Sequence, residues 1–91
     1  MDISVTHDPA SHRFKAIVDQ HESHLEYALR DGVMAILHTI VPPEVGGRGI
    51  AGHLTVAAIE YARSHALKIA PQCAYAAAYF QRHPEYADLL A

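Results

Sequence analysis

Val41-Pro42-Pro43-Glu44-Val45-Gly46-Gly47-Arg48-Gly49-Ile50-Ala51-Gly52, running on to Ala62, is the stretch whose reading decides the fold. An apolar strand enters it, glycines follow, and an amphipathic helix leaves it. A helix begins with unpaired N–H groups and the positive end of a dipole, and glycines admit an anion to the backbone with no Cβ in its path. The pattern fits a phosphate cradle, and it also fits a plain tight turn before a helix. A Walker A loop is excluded because no Gly-Lys-Ser/Thr triplet closes the run. Gly47, Gly49 and Gly52 have the spacing of a dinucleotide fingerprint, but several strands precede them and no βαβ unit with a suitable acid follows.

Upstream, the pattern is that of an antiparallel meander. Ile3 and Val5 alternate with Ser4 and Thr6, which predicts a short first strand before a turn at His7-Asp8-Pro9-Ala10-Ser11. Phe14, Ala16 and Val18 alternate with charged residues as a second strand with one wet face. After Gln20-His21-Glu22-Ser23, a third strand is carried by Leu25, Tyr27 and Leu29. Asp31-Gly32 signals a two-residue hairpin, since both positions of that turn need positive φ. Val33 to Val41 is apolar on both faces and is expected to be the central strand.

Downstream, Ile50, Leu54, Ala57, Ala58 and Tyr61 form the apolar stripe of a helix from about Gly49 to His65, with Glu60 and Arg63 outside. A fifth strand at Leu67–Ala70 follows and can lie parallel to the fourth. An Ala-rich helix from Ala74 to Arg82 and a short one after Pro84 end the pattern, with Tyr86, Leu89 and Leu90 expected to turn inward. The predicted fold class is α/β (α+β): a mixed, mainly antiparallel sheet of about five strands, a central helix and two short C-terminal helices.

Ninety-one residues, 51% of them apolar, read as one domain over 1–91 with a single core. A net charge of −3 and seven dispersed basic residues argue against nucleic acid or an anionic membrane as the main partner. No apolar run approaches the roughly 20 residues of a membrane span, and Met1-Asp2-Ile3-Ser4 does not read as a signal peptide, so a cytoplasmic setting is expected. Cys73 is the single cysteine, hence either a buried hydrophobe or a reactive thiol. Eight histidines raise the question of a metal, but His21-Glu22-Ser23-His24 lacks the His-Glu-x-x-His spacing, and no metal site is predicted. No Gly-x-Ser-x-Gly elbow marks a serine hydrolase.

The glycine stretch resembles the acyl-CoA loop of the GCN5-related N-acetyltransferases, in which Gln/Arg-x-x-Gly-x-Gly/Ala opens a helix after a strand. Gly49 and Ala51 occupy the last two defined positions; Gly46 departs, standing where the family has Gln or Arg. His38-Thr39-Ile40-Val41-Pro42, Pro71-Gln72-Cys73-Ala74-Tyr75 and His83-Pro84-Glu85-Tyr86 extend the likeness to the small acetyltransferase-like branch, over about Phe14 to Leu90. The resemblance implies acetyl-CoA as cosubstrate, held at Val41, Gly46, Gly47, Arg48, Gly49, Ile50 and Ala51. It implies an amine acceptor, a small molecule or a protein, and a pantetheine arm inserted where the fourth and fifth strands splay.

Cys73 is expected at the mouth of that cleft and at the start of the Ala-rich helix, where a helix N-terminus favours thiolate. It reads as nucleophile, as proton donor to departing CoA, or as a small packing residue. If Cys73 and Ala76 match the family's Asn-x-x-Ala-x-x-x-Tyr pattern, Phe80 stands in place of the acidic tyrosine and has no proton to give. Tyr79 lies about 100° around the helix from it. His38, near the end of the fourth strand, is the candidate base, its alternative being a structural histidine. His53 and Glu26 are weaker candidates for phosphate contact and base. Arg48 is read as a partner of a CoA phosphate or a solvated charge. Full-sized family members carry two helices after the first strand. Here there is only the turn from Asp8 to Arg13, so the acceptor site is expected to be open or walled by another subunit, the chain being a monomer or a homodimer. Gly46 and Phe80 also suit a second class of function, a non-catalytic CoA-binding or protein-interaction module on the same fold.

Overall fold

The computed structural model describes residues 3–91; Met1 and Asp2, at the start of the stretch read as no signal peptide, lie outside the described residues. The elements are β1 (Thr6–Asp8), β2 (Arg13–Val18), β3 (His21–Arg30), β4 (Val33–Ile40), α1 (Ile50–Ser64), β5 (Lys68–Pro71) and α2 (Ala74–Arg82), with 3-10 turns at Pro9–Ser11, Pro43–Val45 and Pro84–Leu89. The strands lie in chain order in one sheet. The first three pairings are antiparallel and β4–β5 is parallel, because α1 carries the chain back across the sheet between them. The fold is therefore mixed α/β with a mainly antiparallel sheet.

One face of the sheet is dry. Phe14, Ala16, Leu25, Tyr27, Met34, Ile36 and Ile69 point from it into a core closed by Leu54, Ala58, Ile59 and Ala62 of α1 and by Ala76 and Phe80 of α2. Among the described residues the other face carries no helix, and Ile17 and Ile40 are 69% and 50% exposed there. Thr55, buried within α1, satisfies its hydroxyl by donating to the Ala51 carbonyl 2.8 Å away.

Several expectations are corrected. The first strand is Thr6–Asp8 rather than the Ile3–Val5 alternation, because its register is set by pairing with Arg13–Lys15; Ile3 and Val5 pack against the core without joining the ladder. β3 starts at His21, inside the segment read as a turn. Val18 pairs with His21, so only Asp19 and Gln20 turn the chain, both with positive φ (50° and 67°). β3, not β4, is the middle strand, and the apolar outer face of β4 is open rather than covered. Leu90 is 38% exposed. Its role is in the backbone: it bridges Ile69, and the Ala91 amide donates to the Ile69 carbonyl at 2.9 Å, covering the outer edge of β5.

Candidate acyl-transfer site

The Pro42-Pro43 pair fixes the approach to the glycines. Pro43–Val45 forms a single 3-10 turn, the Gly46 amide donates to the Pro43 carbonyl at 3.2 Å, and Val45 is fully buried as its anchor. Beyond it, Gly49 sits at the N-cap of α1 with φ 77°, a left-handed conformation in which a Cβ is strained. Among the described residues no side chain caps the helix, and its first turn holds no acidic residue, so the amides of that turn are open to an external acceptor. A Cβ added at Gly47 or Gly49 would meet nothing within 4 Å, which leaves open space before the backbone.

That space is a cavity of about 280 Å³ lined by Val41, Gly46, Gly47, Gly49, Ile50, Ala51, Gly52 and Tyr75. Six of the seven residues expected to hold a cosubstrate thus surround one hollow. Arg48 does not. Its guanidinium turns to the β2–β3 turn and donates to the Asp19 carboxylate. A second hollow of about 330 Å³ shares Gly49 and Gly52 and extends to His53, Val56 and Tyr79. His53 therefore lies at the margin of the groove.

Cys73 stands at the fork between β4 and β5. The parallel pairing ends at Ile36–Pro71, and the Gln72 and Cys73 amides both donate to the Ile36 carbonyl, at 3.0 and 3.1 Å. β4 continues with β3 to Ile40 while the other branch turns into α2, so the two separate here. Cys73 is the N-cap of α2. Its Sγ accepts from the Ala76 amide at 3.3 Å and lies 3.6 Å from Thr39 Oγ1.

A bulge in β4 decides which way the neighbouring side chains face. Tyr27 pairs with Ile36 but Glu26 pairs with His38, leaving Leu37 as the extra residue. Thr39, opposite buried Leu25, thereby turns to the helix face with Cys73, while His38, opposite Glu26, turns to the open face and is exposed. His38 and Cys73 lie on opposite sides of the fork. Glu26 is engaged with Arg13 at 3.9 Å.

Two tyrosines complete the groove. Tyr75 lies beside the glycines, its hydroxyl 3.6 Å from where a Cβ on Gly52 would stand, and the Tyr79 ring lies 4.0 Å from that point. Burial pushes the pKa of each hydroxyl up from its ordinary value, so both stay protonated at neutral pH. Phe80 is buried in the core and Tyr79 faces the groove. Tyr75 and Thr39 stand in the motifs quoted from the sequence, which give neither a role. Tyr75 lies two residues beyond Cys73, about 200° around the helix from it, so helical spacing does not link the two; nothing in the sequence announces the bulge that aims Thr39. Among the described residues, no three His, Cys, Asp or Glu side chains converge as metal ligands.

A sheet that forks between two parallel strands, with a glycine-lined helix start at the end of the fork, defines the acyltransferase class of fold. The family model for GCN5-related N-acetyltransferases matches residues 13–89. The chain belongs to that family. It is also similar to the solution NMR structure of a GCN5-like candidate N-acetyltransferase from Staphylococcus aureus, with a TM-score of 0.77 and 26% identity over 97% of this chain and 87% of that one.

Proposed function

We propose that this enzyme transfers an acetyl group from acetyl-CoA to an exposed amine, through a relay on Cys73. The observation that carries the reading is the position of the Cys73 sulfur, held between the Ala76 amide and Thr39 at the point where β4 and β5 separate. The unstoppered amides and empty Cβ positions of the glycine loop fit a pyrophosphate. Acetyl-CoA supplies an activated thioester. The loop amides from Gly46 to Ala51 bind its phosphates, and Val41 lines the way toward the fork. Cys73 sulfur then attacks the thioester carbonyl, takes the acetyl group, and releases CoA thiol. The acceptor amine attacks the acetylated Cys73, the amide forms, and the Cys73 sulfur is regenerated while the amine proton passes to a base or water.

A second reading, direct attack by the amine, is favoured by the placement of His38 on the open face beside the fork. An imidazole there takes the proton of an amine that approaches from the side free of helices. Under either reading the acceptor side is unroofed, which suits a lysine or terminal amine on another protein, or a wall contributed by a second copy in a homodimer. The whole chain then serves as one acyl-CoA-binding domain. A chemically active unpaired thiol suits the reducing cytoplasm.

Native mass spectrometry with acetyl-CoA, followed by peptide mapping, tests the proposal. Bound CoA together with acetyl on Cys73 supports the relay. Binding with transfer to an added amine but no acetyl-Cys73 selects direct attack. Binding with no transfer to any amine leaves a CoA-binding module, and no complex at near-millimolar acetyl-CoA defeats the reading of the glycine loop.

A further inference from the structure

In the run Gly46-Gly47-Arg48-Gly49, the only side chain is that of Arg48. Three glycines in four residues give this segment large backbone freedom in the unbound chain, and ordering it opposes binding. The backbone hydrogen bonds of the preceding turn end at Gly46, and those of α1 begin with the His53 amide donating to Gly49. Of the loop's own side chains, only Arg48 can tether it. The tether present is the Asp19 carboxylate. Asp19 sits in a two-residue turn whose length is fixed by the Val18–His21 pair and whose left-handed φ an aspartate tolerates. Arg48 is absent from the cavity lining, so the contact draws the guanidinium outward and leaves the backbone amides facing the hollow.

We infer that Asp19 is a positioning residue for the phosphate cradle, acting through Arg48 to hold the glycine loop in its binding conformation before CoA arrives. The inference rests on the proposed role of the loop in binding CoA. It reverses the part expected of Arg48: the guanidinium braces the loop and does not meet phosphate. An exposed ion pair contributes little to global stability, so the effect belongs to the loop and to affinity.

The test compares the full chain with Asp19→Asn, Arg48→Gln and the double variant. Asparagine keeps the tolerance for positive φ and removes the charge. CoA affinity is read by calorimetry, and loop order by 15N relaxation of the Gly47 and Gly49 amides in the unliganded protein. Asp19→Asn is expected to weaken CoA binding by about 3- to 5-fold with an unchanged melting temperature. The loop amides should become more mobile, and the double variant should lose no more than either single one. Unchanged or tighter CoA binding by Asp19→Asn overturns the inference, as does a markedly larger loss in Arg48→Gln, which would put the guanidinium on the phosphate. If the wild-type chain does not bind CoA, the cradle reading fails. The relaxation data then decide separately whether Asp19 orders the loop, and unchanged amide mobility rejects the brace.

Discussion

Serine in place of Cys73 keeps the hydrogen-bond acceptor that caps α2, and serine is among the best N-cap residues. Cys73→Ser should therefore fold as the parent does. On the relay it is expected to slow acetyl transfer by at least about 100-fold, read as steady-state turnover with an added amine. Cys73→Ala adds the loss of the cap, so only the serine variant separates chemistry from packing. His7 offers a second residue-scale expectation. It stacks on Phe14 at 4.1 Å and its Nε2 lies 2.6 Å from the Tyr27 hydroxyl. Burial first, then the positive potential of His65 and His12, lowers its pKa below the ordinary 6.5 despite Asp8 nearby. The folded state favours the neutral ring, so its contribution is complete above about pH 6.5 and is lost as pH falls from there through the lower folded value. Urea midpoints measured from pH 8 to pH 5 should fall on acidification, and His7→Phe should flatten part of that slope.

At the scale of elements, Gly49 and Gly32 form a natural pair. Both have left-handed φ, 77° and 78°, and neither has an atom within 4 Å of an added Cβ. Alanine at either is expected to destabilise by about 1–2 kcal/mol through backbone strain alone, measured by denaturant unfolding. Only Gly49→Ala should also weaken CoA binding, because Gly32 lies in the β3–β4 turn. An equal affinity loss in both variants would mean that strain at Gly49 has no local consequence for the loop. The same comparison explains why one hairpin was legible and the other was not. Asp31-Gly32 carries a glycine where φ must be positive, whereas Asp19-Gln20 adopts the same turn with neither residue a glycine, because the strands on either side impose it.

For the whole molecule, the outer edge of β5 is a point of vulnerability. Leu90 and Ala91 cover it through backbone contacts with Ile69. Removing these two residues should expose an unpaired edge and promote self-association, visible as concentration-dependent sedimentation. Unchanged sedimentation would mean that β5 is too short to template pairing. The uncovered sheet face is a second global feature. Among the described residues only the 3-10 turn Pro9–Ser11 lies between β1 and β2 and no α-helix covers this face, so the proposed acceptor side of the fork stays accessible.

Alternation of apolar and polar residues, the glycine run and the prolines around it were enough to establish the meander and the crossover helix with a glycine turn at its start, while leaving open whether that turn is a cradle. Each of these is a local signal: period in the strands and helices, φ at a glycine, the missing N–H of proline. They placed Cys73 directly before α2, where it is the N-cap. Tertiary structure alone decided the rest. The bulge at Leu37, which no local preference encodes, sets Thr39 beside Cys73 and puts His38 on the far side of the sheet. Arg48 looked from its neighbours like a phosphate ligand, but the β2–β3 turn brings a carboxylate to it from 29 residues away. Side-chain direction at such points depends on register and on distant partners, which only the assembled sheet determines.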